Sequence, residues 1–176
     1  MRMFTALELP ERFADDVSAL ARRLEAVVEG RFVPREARHL TLAFLGDVPE
    51  ANALVAADAL EAACAGVPRI PLRAAGLGTF GRKDDATLWL GIARSPELEH
   101  LAARLREELA ARELSFDGKP FKPHVTLARR ARIPRGNLPP LPFPLADQAE
   151  TATLFKSTLR RDGAAYEPLR SVRLVG

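Results

Sequence analysis

The sequence predicts an α+β fold of two pseudo-symmetric lobes, each a mostly antiparallel sheet flanked by helices, with a cleft between the two sheets. Three observations support this prediction. Segments with strand and helix patterns follow one another in the order β-α-β-α-β-β-α-β-β-β. One four-residue pattern occurs once in each half of the chain. The length of 176 residues suits a single domain, residues 1–176, built from two intimately packed lobes.

Residues 1–65 contain two predicted strands and two predicted helices. Arg2–Leu9 mixes β-branched, aromatic and apolar residues and stops at Pro10, which is typical of a strand. From Glu11 to Glu29 the apolar residues recur every three or four positions, and this spacing predicts an amphipathic helix. Arg38–Leu45 is predicted as the second strand, and the alanine-rich segment Glu50–Ala65 as the second helix.

The chain beyond Ala65 contains five predicted strands and one predicted helix. Ser95-Pro96 opens the helix, because serine is a good N-cap and proline fits the first helical turn. The segment Ile133–Pro144 holds five prolines and is predicted to be a surface excursion. The predicted strands are Ile70–Leu77, Thr87–Ala93, His124–Arg129, Thr151–Leu159 and Glu167–Val175.

Composition and charge exclude several classes of protein. The 26 basic and 23 acidic residues leave a formal charge of +3, too small an excess for a strong duplex-DNA binder. The single cysteine, Cys64, excludes a disulfide framework and a multi-cysteine zinc site, and we expect it to serve packing. An acid and a proline interrupt the N-terminal apolar stretch, and no apolar run is long enough to span a membrane. We therefore expect a cytoplasmic protein without a membrane contact.

Two of the three histidines begin the same short motif. The first copy is His39-Leu40-Thr41-Leu42 and the second is His124-Val125-Thr126-Leu127. On a strand, residues i and i+2 point to the same face, so each copy presents an imidazole beside a hydroxyl while its apolar residues face the core. A single His-x-Thr on a strand is usually an ordinary half-buried pair, but its repetition favours a catalytic site. The third histidine, His100, lies among charged helical residues and is expected at the surface.

Two histidines and two threonines in one cleft suit metal-free phosphodiester chemistry. An imidazole can give or take a proton near neutral pH, so two of them can act as acid and base across one reacting centre. Hydroxyl groups can donate to the non-bridging oxygens of a phosphate as charge develops there. Carboxylates at metal-ligand spacing from either motif histidine are absent from the sequence, which disfavours a dinuclear metal site.

With these motifs the sequence resembles the 2H phosphoesterase superfamily. The flanking segments are similar to those of the RNA 2′,3′-cyclic phosphodiesterase group, also called 2′–5′ RNA ligases of the LigT type. This resemblance spans essentially the whole chain. The matching segments are residues 3–10, 39–46, 88–91, 121–129 and 154–159, followed by Gly163, Tyr166 and Leu169.

The resemblance implies an activity and roles for the motif residues. The activity is hydrolysis of an RNA 2′,3′-cyclic phosphate to a 2′-phosphomonoester, with a reversible capacity to join RNA ends through a 2′–5′ linkage. His124 would be the general base that activates water, and His39 the general acid that protonates the O3′ leaving group. Thr41 and Thr126 would bind phosphate oxygens. Neither a metal nor another cofactor is expected.

Three further residues and the partners are also expectations. Arg129, five residues after the second histidine, is a candidate phosphate contact. Phe44 and Phe121 are weaker candidates for stacking on a base, and Phe44 would face away from His39 on a regular strand. The expected partners are RNA ends with a 2′,3′-cyclic phosphate or a 5′-hydroxyl, with tRNA fragments as one candidate, and the expected oligomeric state is a monomer.

Two other functions stay open from the sequence. The protein could act on a small cyclic nucleotide, or the cleft could hold an RNA end without chemistry. Turnover of cyclic-phosphate RNA in excess EDTA tests the second of these, because a binding module gives a complex without a product, and product analysis with 2′- and 3′-phosphate standards tests the first.

Overall fold

The computed structural model describes residues 1–175, in which ten strands and three α-helices form. The helices are α1 (Glu11–Glu25), α2 (Ala53–Cys64) and α3 (Pro96–Ala111), with short 3₁₀ turns at Arg35–Ala37 and Glu50–Asn52. The strands are β1 (Arg2–Glu8), β2 (Glu29–Phe32), β3 (His39–Asp47), β4 (Ile70–Leu72), β5 (Ala74–Arg82), β6 (Asp85–Ile92), β7 (His124–Arg132), β8 (Asp147–Ala149), β9 (Thr151–Arg160) and β10 (Gly163–Arg173). Every helix in this part of the chain is too short or too polar to cross a lipid bilayer.

One eight-stranded antiparallel sheet organises the molecule. Its strand order is β10-β9-β1-β3-β7-β6-β5, and β2 also pairs with β7. β3 and β7 share a single register pair, Leu40 with Val125, after which β2 takes the place beside β7. A small second sheet consists of β4 and β8. The predicted α+β class with antiparallel sheets is therefore confirmed, but the two predicted lobes are halves of one sheet that meet at one pair.

The helices bury the faces that their spacing predicts. In α3, Ser95 caps the helix by accepting a hydrogen bond from the backbone N–H of Leu98. Its buried leucines lie three or four residues apart, as one apolar stripe requires. The buried large side chains of α1 and α3 are Phe13, Val17, Leu20, Leu24, Leu98, Leu101, Leu105 and Leu109.

Two short strands and several element ends differ from the prediction. Helix α1 ends at Glu25 rather than Glu29, and after a turn the chain forms β2, which was not predicted and overlaps the predicted helix only at Glu29. A Cβ on Gly30 would lie 3.0 Å from the Ala131 Cα, so the glycine permits the close approach of β2 to β7. The three-residue strand β8 was also missed, since so short a segment carries no periodicity. The proline-rich excursion contains no helix or strand, as predicted.

Candidate active site

Both repeated motifs open onto one cleft of about 260 Å³. β3 supplies His39 and Thr41, and β7 supplies His124, Thr126 and Arg129. The cleft lies where the two strands separate after their single shared pair. The other lining residues are Val33, Ala37, Phe80, Thr87 and Tyr166. The structure thus brings together five residues that sequence analysis singled out from opposite halves of the chain.

The two strands repeat one pattern of burial along the motif. In each strand the histidine and the threonine are half-buried, and the apolar residues between and after them are buried. This alternation follows from the period of two along a strand. The apolar residues that anchor the two motifs in the core are Leu40, Leu42, Val125 and Leu127.

A matching bulge follows the threonine in each strand. Leu42 has no register partner on β1, because Thr5 pairs with Ala43 and the next residue, Ala6, pairs with Thr41. In the same way Leu127 has no partner on β6, where consecutive residues pair with Ala128 and Thr126. One extra residue reverses the alternation of side chains beyond it. The fifth residue after each histidine therefore returns to the face of the histidine.

This bulge corrects the expectation that Phe44 faces away from His39. Phe44 lines an adjoining cavity of about 430 Å³ that shares His39, Thr41 and Arg129 with the cleft. Arg129 occupies the equivalent position in the second motif and lines both spaces. The further residues of the adjoining cavity are Arg2, Phe4, Ser157, Leu159, Ala164 and Tyr166.

Phe121, the other stacking candidate, is not among the residues that line these two spaces. Its side chain is half-buried and packs against the hydrophobic core. Its backbone carbonyl accepts a hydrogen bond of 2.7 Å from the Arg94 guanidinium, which holds the loop before β7. Phe44 therefore lines a cavity at the site, whereas Phe121 lines neither space and packs against the core.

Both motif histidines bind a backbone carbonyl two residues earlier in the chain. The Nδ1 atom of His39 lies 2.9 Å from the carbonyl oxygen of Ala37, and that of His124 lies 2.6 Å from the carbonyl oxygen of Lys122. A carbonyl oxygen can only accept, so each Nδ1 carries the hydrogen. In the neutral ring the Nε2 atom then keeps its lone pair and can accept a proton.

Aromatic rings hold each imidazole from two sides. The ring of His39 stacks on Phe4 at 4.7 Å and meets the edge of Tyr166 at 5.3 Å. His124 lies 5.3 Å from Phe80 and 5.7 Å from Trp89. Sequence analysis assigned none of these four aromatic residues to the site. The available signal was scarcity, because the chain has one tryptophan and one tyrosine, and both lie beside a motif histidine.

Burial and positive charge lower the pKa of both histidines. Burial is the largest cause for His39, with smaller contributions from Arg129 and His124, and together they lower its pKa from 6.5 to about 4. The pKa of His124 is also lowered, first by burial and then by Lys122 and Arg129. The carbonyl hydrogen bond opposes the change in each case. Both shifts favour the uncharged imidazole in the free protein.

The remaining titratable candidates lie outside the cleft. His100 is exposed on α3, and Cys64 is buried at the end of α2, where burial raises the pKa of its thiol to about 11. Among residues 1–175, no three His, Cys, Asp or Glu side chains cluster closely enough to hold a metal ion. The polar side chains that line the cleft are the imidazoles of His39 and His124, the hydroxyls of Thr41, Thr87, Thr126 and Tyr166, and the guanidinium of Arg129.

Gly78 makes room for the tryptophan that supports His124. The two residues are directly opposed in the β5–β6 ladder, and a Cβ on Gly78 would lie 2.1 Å from the Trp89 ring. We expect Gly78→Ala to lower the free energy of unfolding by about 2 kcal/mol through overpacking, and to shift the emission of the sole tryptophan. Urea unfolding followed by fluorescence measures both effects. Gly118→Ala is the matched control, because a Cβ there meets nothing within 4 Å. Equal stability of the two variants would contradict this packing account.

Comparison with known proteins places this arrangement in a family. The sequence model of the 2′-5′ RNA ligase superfamily matches residues 9–136. The chain belongs to this superfamily. Its motif strands β3 and β7 both lie within the matched segment.

Relatives from bacteria match over the full length of the chain. A protein named RNA 2′,3′-cyclic phosphodiesterase from Thermus thermophilus is 35% identical over 184 aligned positions, covering 100% of this chain and 91% of the relative. One of the same name from Thermotoga maritima is 31% identical, covering 100% and 97%. The crystal structure of Escherichia coli LigT complexed with 3′-AMP superimposes with a TM-score of 0.79 at 30% identity, covering 99% of this chain and 98% of that one. The superfamily fold thus extends over both halves of the cleft.

Proposed function

We propose that this member of the superfamily hydrolyses RNA 2′,3′-cyclic phosphate ends to 2′-phosphomonoesters by acid–base catalysis without a metal ion. One observation carries the proposal: two His-x-Thr pairs, each with its histidine Nδ1 bound to a carbonyl, line a single cleft with Arg129. The two full-length relatives are named RNA 2′,3′-cyclic phosphodiesterase, which supports the choice of a cyclic phosphate as substrate. The 3′-AMP complex of E. coli LigT supports a nucleotide ligand.

In the proposed reaction, water attacks the phosphorus in line with the P–O3′ bond. Nε2 of His124 takes a proton from the water as its oxygen bonds to phosphorus. The P–O3′ bond breaks, and Nε2 of the protonated His39 ring gives its proton to O3′. A 2′-phosphate and a free 3′-hydroxyl result, with His124 protonated and His39 neutral. Proton exchange with solvent restores the starting state. The assignment of the two roles follows the family resemblance.

The lowered pKa of His39 makes its role as acid depend on substrate binding. A lowered pKa of about 4 makes its imidazolium a ready proton donor to a leaving oxygen. The same low pKa leaves few protonated rings in the free protein at pH 7. A phosphodiester anion in the cleft favours the charged imidazolium, so its binding raises this pKa. Substrate binding thereby prepares the acid that the reaction needs.

Arg129 and the two threonines are proposed to hold the phosphate. The guanidinium makes no ion pair or side-chain hydrogen bond to residues 1–175, although it lines the cleft beside both histidines. A free guanidinium can bind two phosphate oxygens at once. The hydroxyls of Thr41 and Thr126 stand two residues from the histidines and can donate to the same oxygens as negative charge develops. Phe44, on the adjoining cavity, is proposed to stack on a base.

The test is turnover of an oligoribonucleotide that ends in a 2′,3′-cyclic phosphate, in excess EDTA. We expect product formation at the rate seen without EDTA, with a product that co-migrates with the 2′-phosphate standard and not with the 3′-phosphate standard. Binding without product would instead indicate a module that holds RNA ends. A strong preference for a mononucleotide over the oligonucleotide would indicate a small cyclic nucleotide as substrate.

Joining of RNA ends is a second candidate function. The family model that matches the chain describes a 2′-5′ RNA ligase superfamily. A 5′-hydroxyl of a second RNA can replace water as the nucleophile at the same phosphorus, and the base and acid then act as before. Adding a 5′-hydroxyl oligonucleotide to the same assay would give a longer product with a 2′–5′ linkage if this reaction occurs.

The pH dependence of the reaction follows from the lowered pKa values. kcat/KM reports the free protein, in which both histidine pKa values lie below 6.5, so we expect a bell with its maximum below pH 6.5. kcat reports the complex, in which the phosphate anion raises these values, so its maximum is expected at higher pH. Initial rates across pH 4–10 measure both curves. A kcat/KM that rises steadily to pH 10 would contradict the acid–base pair.

We propose that one chain, folded as a single domain over residues 1–176, is the active unit. Strands from both ends of the chain, β1 and β10, lie in the same half of the large sheet, and one chain supplies both motifs to the cleft. We therefore expect a monomer in light scattering. We further propose that the protein acts in the cytoplasm on RNA fragments with cyclic-phosphate ends, tRNA fragments among them.

A further inference from the structure

Two arginines face each other beside the cleft without a negative partner. In the β2–β7 ladder, Arg31 is directly opposite Arg129. Both side chains are exposed, and neither makes an ion pair or a side-chain hydrogen bond to any residue that the structure describes. Arg31 belongs to the strand that the sequence pattern missed, so sequence analysis did not associate it with the site.

The ladder places both guanidiniums on the cleft side of the sheet. Directly opposed residues of antiparallel strands point to the same face, with Cβ atoms about 5 Å apart. Arg129 lines the cleft, and so does Val33, which lies two residues beyond Arg31 and therefore on the same face. The hydrogen bond from Val33 N–H to the Leu127 carbonyl, at 2.8 Å, fixes this register. Arg31 thus extends the positive charge of Arg129 beyond the cleft.

A like-charged pair in this position is unfavourable for the fold alone. Directly opposed like charges destabilise a sheet, whereas opposite charges stabilise it. The next pair of the same ladder follows the favourable rule, because Glu29 is opposite Arg132 with their charged atoms 3.8 Å apart. The Arg31–Arg129 pair does not follow this rule, and it lies at the edge of the proposed phosphate site. A bound anion would convert the repulsion into two favourable contacts.

We propose that Arg31 binds the phosphodiester that precedes the terminal nucleotide of an RNA, while Arg129 holds the cyclic phosphate. This inference rests on the proposed function and specifies its substrate as an oligoribonucleotide rather than a mononucleotide. Two neighbouring guanidiniums on one face suit two phosphates one nucleotide apart. This contact is made to a backbone phosphate and therefore does not depend on the base sequence.

The test compares three substrates: adenosine 2′,3′-cyclic phosphate, its 5′-phosphorylated form, and an adenosine trinucleotide with the same cyclic end. We expect Arg31→Ala to lower the ratio of kcat/KM for the trinucleotide to that for the mononucleoside about tenfold, as loss of a charge-assisted contact would. The slope of log kcat/KM against log salt for the trinucleotide should become shallower by about 0.7, the value for one phosphate of a single strand. If a 5′-phosphate alone suffices, the 5′-phosphorylated nucleotide will show the same dependence on Arg31.

Arg69→Ala is the matched control for lost charge, because Arg69 is exposed before β4 and outside both spaces. It should leave the substrate ratio and the salt slope unchanged. An unchanged ratio in Arg31→Ala, or an equal fall in Arg69→Ala, would overturn the inference. So would a lowered Tm of Arg31→Ala with equal losses on all three substrates, since that result assigns Arg31 to the fold. If the wild-type protein is inactive on all three substrates, that result contradicts the proposed function instead.

Discussion

His124→Ala and His39→Ala are each expected to lower kcat for cyclic-phosphate hydrolysis about 10²–10⁴-fold, the usual contribution of a positioned acid or base. His124→Ala removes the group that takes the proton of water, and His39→Ala removes the group that protonates O3′. Steady-state rates on a cyclic-phosphate oligonucleotide measure the loss. His100→Ala is the control, because this histidine is exposed on α3 and lines neither space at the site.

The two losses should not add. Both histidines act on one phosphorus in one step, so the double variant is expected to be about as slow as the slower single variant. Full activity in either single alanine variant would contradict the acid–base pair.

Arg129→Ala is expected to lower kcat about 10²-fold, as removal of a donor to a developing oxyanion does in other enzymes. The same change should raise the pKa of both His39 and His124, because Arg129 is one of the causes that lower each of them. NMR titration of the imidazole protons measures these pKa values in the free protein. A higher pKa means that the rings of the variant become protonated at a higher pH than those of the wild type.

The adjacent arginine offers a matched control for this substitution. Arg130 follows Arg129 on β7, but its guanidinium lies 3.5 Å from the Asp85 carboxylate, and its backbone is left-handed with φ of 53°. Arg130→Asn removes the same charge and suits that backbone. We expect it to keep activity and both pKa values near those of the wild type. Equal effects of the two substitutions would mean that net charge, and not the position of Arg129, controls the site.

The sequence was sufficient to predict the centre of the site. Repetition of His-x-Thr identified four side chains, and the period of two along a strand correctly placed them on one face with leucines and valine behind. Apolar spacing, alanine content and the Ser95-Pro96 start likewise predicted the three helices in turn. These features depend on local patterns, which a single sequence displays directly.

Features that depend on pairing between strands were not predictable in this way. The bulges at Leu42 and Leu127 exist only relative to the partner strands β1 and β6, so a regular alternation wrongly predicted that Phe44 faces away from His39. β2 is four residues long, too short to show the periodicity of a strand, and only its first residue, Glu29, lies within the predicted helix. Arg31 was therefore not predicted as a site residue, because its place beside Arg129 depends on the pairing of β2 with β7.

The aromatic support of the histidines shows the same limit. Phe4 and Tyr166 come from β1 and β10, and Phe80 and Trp89 from β5 and β6, all distant in sequence from the motif that they contact. Phe121, by contrast, is only three residues from His124 in the sequence. The loop before β7 places its side chain against the core instead.

The most direct test of the central claim uses a substrate in which sulfur replaces the bridging 3′ oxygen of the cyclic phosphate. A thiolate leaves without protonation, so this substrate needs the base but not the acid. We predict that His39→Ala, slow on the oxygen substrate, recovers a rate close to that of the wild type on the sulfur substrate, whereas His124→Ala stays slow on both. Recovery of His124→Ala without recovery of His39→Ala would reverse the two roles. Recovery of neither would contradict the division of the reaction between an acid and a base.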